Sequence, residues 1–166
     1  MKGCYTLCNY SGGVRNAVIQ LKYHGNRAAG KSFFELLERF PWQERIKDCD
    51  FVLPVPVSKD RRKDRGYNQV DLIFQKWAEE KNRPYLPQGL ICMRNTHTQS
   101  LLTKMERYAN MKGVFHINKG VDAKGKTILL VDDVYTTGAT MEAAAHELKR
   151  AGAEAVIGLT IASGAK

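Results

Sequence analysis

No stretch of this 166-residue sequence approaches the roughly 20 consecutive apolar residues that a bilayer-spanning helix needs. The first residues, Met1-Lys2-Gly3-Cys4-Tyr5, lack the apolar centre of a signal peptide. The expectation is a cytoplasmic chain with no membrane span. Cysteine is scarce: Cys4, Cys8, Cys49 and Cys92 form no Cys-x-x-Cys pair, and no second pair follows Cys4 and Cys8 at zinc-site spacing. In a cytosolic chain the four are expected as reduced thiols. Internal repeats and low-complexity tracts are missing. No Gly-x-Gly-x-x-Gly occurs, which speaks against a dinucleotide-binding turn. His24, His97, His116 and His146 show no metal spacing and are expected to be structural or exposed, so no dedicated metal site is assigned.

What the sequence has in excess is positive charge. Its 26 Lys and Arg outnumber 17 Asp and Glu, a formal +9, which favours anionic partners without choosing among phosphates, nucleic acid and acidic lipids. At 43% hydrophobic and 26% charged residues, the composition gives no reason to invoke disorder. The length fits a single domain, residues 1–166, able to bury a core without disulfides.

Periodicity places the elements. Val14, Val18 and Leu21, then Phe33, Phe34, Leu36 and Leu37, recur at near-helical spacing over residues 12–39, with a break at Gly25-Asn26. The Val-rich run 50–57 predicts a buried strand whose prolines put its end at a sheet margin. Residues 58–66 read as a charged loop, and Val70, Ile73, Phe74 and Trp77 mark an amphipathic helix to about Glu80. Short strands are expected at 90–93 and 114–117, joined by a long polar connection over 94–113. Thr127 to Val131 is the clearest strand, 138–151 a helix stopped by Gly152, and 155–161 a closing strand. Strands alternating with helices predict an α/β domain with a mostly parallel sheet.

The chemistry concentrates between Leu129 and Thr140. An apolar strand ends in Asp132 and Asp133, and Thr136, Thr137, Gly138, Ala139 and Thr140 turn into a helix. Ligands of open α/β sheets sit beyond the carboxyl ends of strands. A turn of this kind offers backbone N–H groups and a helix N-terminus to an anion, and Gly138 lets a phosphate approach closely. Two adjacent carboxylates repel a phosphate, so they are expected to accept from vicinal hydroxyls instead. A ribose 5-phosphate satisfies both halves. A helix N-cap alone would explain one or two of these residues, not the whole set.

The run from Leu129 to Gly138 resembles the signature of type I phosphoribosyltransferases, which binds 5-phosphoribosyl-1-pyrophosphate (PRPP). Val55-Pro56-Val57-Ser58-Lys59-Asp60-Arg61, Arg65-Gly66-Tyr67-Asn68-Gln69, Gln20-Leu21-Lys22-Tyr23-His24-Gly25, and Gln99 followed by Arg107, Asn110 and Phe115 resemble the ComF family (competence protein F). Together these cover about residues 12–161. The resemblance implies a type I phosphoribosyltransferase-like α/β fold: a parallel central sheet flanked by helices, with a core over about 50–161, a small hood formed by about 1–40 and a mobile flap. Many ComF proteins begin with a multi-cysteine zinc-binding segment. This sequence starts nearly at the phosphoribosyltransferase region, and Cys4 and Cys8 are expected not to hold zinc.

The resemblance also implies roles. Asp132 and Asp133 would hold the ribose hydroxyls and Thr136 to Thr140 the 5-phosphate. Ser58, Lys59, Arg61 and Arg65 would contact pyrophosphate, for which the arginine fork is suited. Lys104 and Arg107, in a flap over 94–107, would close over the pyrophosphate, stabilise its charge and exclude water; Gln99 and Asn110 would organise the flap. Mg²⁺ would arrive bound mainly through PRPP oxygens and water. The expected reaction is transfer of the phosphoribosyl group to a nitrogen nucleophile of unknown identity. The alternative is a PRPP-binding regulator or DNA-uptake protein without transferase activity, with Arg61 and Arg65 touching single-stranded DNA and Tyr67 stacking on a base. A homodimer is kept open.

Overall fold

Alternate residues of the run from Ile128 to Val131 face opposite layers, and that alternation organises the molecule. The computed structural model describes residues 1–24, 27–41, 43–93 and 104–164, with backbone alone at 27, 104 and 107. In chain order the elements are β1 (Gly3–Asn9), α1 (Gly12–His24), α2 (Arg27–Glu38), α3 (Gln43–Ile46), β2 (Phe51–Pro54), α4 (Lys59–Arg65) and α5 (Gln69–Glu80). There follow β3 (Leu90–Cys92), α6 (Lys104–Met111), β4 (Phe115–Ile117), β5 (Thr127–Tyr135), α7 (Ala139–Arg150) and β6 (Ala155–Ser163).

Four strands form one parallel sheet in the order β1-β6-β5-β2. Leu129, Val131, Leu159 and Ile161 pack with α1, α2 and α5 through Leu21, Phe33, Phe74 and Trp77. Ile128, Leu130 and Val156 pack on the other face with Met141, Ala144 and Leu148 of α7 and with Leu90 and Phe115 of the short antiparallel pair β3–β4. Both faces are covered, which is why these strands read as unbroken apolar runs. Full burial of each such Leu or Ile contributes about 1.5–3 kcal/mol. The expected α/β class and parallel sheet are therefore present. Pro54 ends β2, which is an edge strand, as the prolines require. Gly152 follows α7 with φ +94°, the left-handed geometry that ends helices.

The structure corrects several expectations. Residues 59–65 are a helix, not a loop: Ser58 caps α4 by accepting from the Arg61 N–H, and Gly66 closes it at φ +79°. The helix buries none of its residues, so no apolar period announced it. Residues 104–111 of the presumed connection form α6. β5 does not stop at Val131 but runs through both acids to Tyr135, because β6 pairs with it as far as Ser163. Residues 3–9, left unassigned in the sequence, form β1 beside β6, so the N-terminal segment enters the main sheet, and α1 and α2 cover that sheet's face. No described helix is long and apolar enough to cross a membrane.

Candidate functional site

Parallel strands point all their carboxyl ends the same way, and in this sheet those ends carry the polar residues. A cleft of about 280 Å³ opens there. Tyr10 reaches it from the end of β1, Ser58 and Arg61 from the segment after β2, and Asp132, Asp133, Thr136 and Thr140 from β5 and the turn that follows. β2 and β5 are adjacent, so the two loops lie side by side.

The acids differ. Asp133 is 4% exposed, and its Oδ2 accepts from Gln69 Nε2 at 2.8 Å and from the Lys22 ammonium at 2.9 Å. Asp132 is half-buried and accepts from the Asp133 N–H at 2.8 Å. Burial and the neighbouring Asp133 carboxylate push the Asp132 carboxyl well above the usual range, against the pull of Lys22. Burial lowers the Lys22 ammonium, but Asp133, with Asp132 behind it, outweighs this and holds Lys22 above its ordinary value.

The turn into α7 has the shape of an anion cradle. Gly138, at the N-cap of α7, sits at φ +82° and has no side chain to cap the helix. Any Cβ at Gly138 would run into the Tyr135 hydroxyl. Thr137 Oγ1 accepts from the Ala139 N–H at 3.4 Å, and the Thr137 carbonyl accepts from the Tyr108 hydroxyl at 3.1 Å, which ties α6 to the turn. Thr136 and Thr140 point into the cleft.

Of the basic residues expected at the site, Arg61 lines the cleft together with the buried Ser58. Lys59 instead lines a recess with Arg62 and Asn118. Arg65 lies beside the cleft: its Nη1 donates to Gln69 Oε1 at 3.0 Å, and its guanidinium stands 5.1 Å from the centre of the Tyr23 ring. Lys104 and Arg107 are on α6, their side chains outside the described residues, as are His97, Gln99 and the rest of 94–103. Asn110 is exposed on α6.

Lys22, Gln69 and Tyr10 were missed as site residues. Lys22 and Gln69 stand inside two of the motifs quoted above, so the motifs were a usable signal; Tyr10 gave none. The sequence holds the pattern Gly-x-x-x-x-Gly-Lys-Ser/Thr twice, at 25–32 and 120–127. Neither copy is a phosphate loop, since Gly30, Lys31 and Ser32 lie within α2 and Lys126 leads into β5 rather than a helix. Cys4 and Cys8 are four residues apart on β1, about 13 Å along a strand, too far to share one tetrahedral ion. Among the described residues no group of three or more His, Cys, Asp or Glu is placed to hold a metal.

Comparison with known proteins agrees with this architecture. A family described as phosphoribosyl transferase domain matches residues 94–166. Competence protein F of Haemophilus influenzae is 31% identical over 113 residues, 68% of this chain and 49% of that protein. The DNA utilization protein YhgH of Escherichia coli is 35% identical over 107 residues, 64% of this chain and 46% of that protein. Competence protein ComFC of Streptococcus pneumoniae is 32% identical over 147 residues, 89% of this chain and 62% of that protein. The chain thus spans about half the length of the first two relatives and under two thirds of the third. It carries a phosphoribosyltransferase domain, and its relatives at 31–36% identity are named competence protein F, ComFC and YhgH.

Proposed function

We propose that the cleft binds PRPP and that the chain transfers its 5-phosphoribosyl group to a nitrogen nucleophile. The new bond joins the nucleophile's nitrogen to ribose C1. The C1–O bond breaks, pyrophosphate leaves with the electron pair, and the nitrogen's proton passes to solvent or a base. The observation that carries this reading is the pairing of two loops on adjacent strands: a carboxylate and Thr-Gly turn after β5, a hydroxyl and guanidinium after β2.

The division of labour follows from charge. Thr136 to Thr140 hold the 5-phosphate at the α7 N-terminus. Asp132 and Asp133 take the sugar diol, and Lys22 offsets part of their charge. Ser58 and Arg61 meet the pyrophosphate; Lys104 and Arg107 close on it from α6. The protein's contribution is positioning and charge stabilisation. Hard carboxylate oxygens in an open cleft suit Mg²⁺, which Asp132 would meet through water, the ion being carried by PRPP oxygens. When bound, it neutralises the departing pyrophosphate.

The test is a melting curve with and without PRPP and Mg²⁺, followed by a screen of nucleobases, glutamine and ammonia for pyrophosphate release. No shift in melting temperature would sink the site assignment. A shift without release for any acceptor would favour a PRPP-binding regulator.

A second reading, contact with single-stranded DNA, draws on a neighbouring recess of about 610 Å³ lined by Tyr23, His24, Arg61 and Arg65 among others. Tyr23 is 68% exposed and offers a stacking surface. Tyr67 is the poorer platform, because its hydroxyl donates to the Leu21 carbonyl at 2.6 Å. Relatives named for competence and DNA utilization make this worth testing. Binding should fall steeply with salt and with Arg61→Ala and Arg65→Ala together.

A further inference from the structure

Two donors from distant parts of the chain converge on a single oxygen. Gln69 Nε2 and Lys22 Nζ both meet Asp133 Oδ2, at 2.8 and 2.9 Å. Asp133 also lines the cleft. A carboxylate held twice through one oxygen cannot rotate freely, and among the described residues no hydrogen bond is made to its Oδ1. The orientation of the Gln69 amide is itself dictated. Arg65 donates to its Oε1 at 3.0 Å, so the amide nitrogen must turn toward Asp133. The flipped amide would set its NH₂ against a guanidinium and its carbonyl against a carboxylate.

The segment between these residues fixes where the amide stands. Gly66 ends α4 in the left-handed region. The Tyr67 hydroxyl ties the segment to the Leu21 carbonyl, next to Lys22. Asn68 caps α5 by accepting from the Val70 N–H and donates to the carbonyl of Val55, the residue after β2. Each of the five residues from Arg65 to Gln69 therefore has an assigned contact or turn.

We propose that Gln69 and Arg65 are positioning residues for Asp133: together they lock the carboxylate in the orientation that presents Oδ1 to the sugar diol. This rests on the PRPP reading above. It also replaces the expectation that Arg65 itself contacts pyrophosphate. Arg65 acts through Gln69, and Gln69 acts through Asp133.

The test is calorimetric titration of the full chain and its Gln69→Met, Arg65→Met and doubly substituted variants. Each is titrated with Mg²⁺ and PRPP, and separately with Mg²⁺ and inorganic pyrophosphate, which has no diol. Loss of a hydrogen bond to a charged group predicts a drop in PRPP affinity on the order of tenfold for Gln69→Met. Arg65→Met should give a smaller drop, and the double variant should bind no worse than Gln69→Met. Pyrophosphate affinity should stay level throughout. Equal losses for both ligands would mean a general collapse of the cleft and would overturn the proposal, as would additive losses or unchanged PRPP binding by Gln69→Met. If Gln69→Met melts too low to titrate, Arg65→Met, on the half-exposed end of α4, decides by the same two-ligand comparison. Failure of the unsubstituted chain to bind PRPP would overturn the functional reading and this proposal with it, before any substitution is compared.

Discussion

The Lys22 ammonium lies 2.9 Å from Asp133 Oδ2, joining the last turn of α1 to the carboxyl end of β5. The pair is mostly withdrawn from water, with side chains 23% and 5% exposed. Screening by solvent is therefore weak, and each charge depends on the other.

Lys22→Met should destabilise the unliganded protein by about 3 kcal/mol, because it strands a buried carboxylate. Lys22→Met with Asp133→Asn should recover much of that loss. Urea unfolding of the two single variants and the double variant measures both statements. A Lys22→Met loss that persists in full with Asp133→Asn would show that packing, not charge, is at stake.

Asp132 carries the opposite cost. Its carboxyl is raised by burial and by Asp133, so the folded state holds a proton that the unfolded chain releases. Stability therefore falls as pH rises from the ordinary carboxylate range through the raised value. Asp132→Asn should melt higher than the parent at neutral pH, by about 2–4 °C for each kcal/mol relieved, and the difference should vanish toward pH 4. The same variant should lose PRPP binding. Melting curves across pH, with and without PRPP and Mg²⁺, check both outcomes.

Gly138→Ala should cost about 1–2 kcal/mol, since φ +82° is left-handed and the new Cβ meets the Tyr135 hydroxyl. Adding Tyr135→Ala removes the collision but not the backbone strain, so rescue should be partial. Chemical denaturation of the three proteins separates the two contributions.

Ser58→Ala removes the cap of α4 and should cost about 1 kcal/mol. Because Arg61 stands one turn along that helix, affinity for pyrophosphate should drop as well. Ser58→Thr, which still caps without adding charge, should preserve stability; unfolding curves and titration with pyrophosphate read the two effects.

Legibility followed burial. β5 up to Val131, α5 and α7 were readable because apolar residues repeat at the period of their element. α4 was not, because none of Lys59 to Arg65 is buried and the segment carries no apolar period, although Ser58 and Gly66 bracketed it with capping signals. The extension of β5 through Asp132 to Tyr135 was hidden by the poor strand propensity of aspartate and is imposed by pairing with β6. β1 escaped because its residues are mostly half-exposed. At the site, Asp132 and the Thr-Gly turn were legible as a contiguous string. The arrangement of Lys22, Arg65 and Gln69 around Asp133 was not, because it depends on how α1 and α5 dock on the sheet.

The strand order β1-β6-β5-β2 sets a timetable. Gly3 pairs with Ile157 and Asn9 with Ser163, so β1, made before the other three strands of this sheet, waits for β6, the last made of the four, before it has a neighbour in it. Tyr10, carried at the end of β1, waits with it. Until then the growing polypeptide exposes an unpaired edge that a chaperone can hold or another copy can capture. The cleft closes its wall only after residue 163 has emerged, so ligand cannot assist the early stages of synthesis.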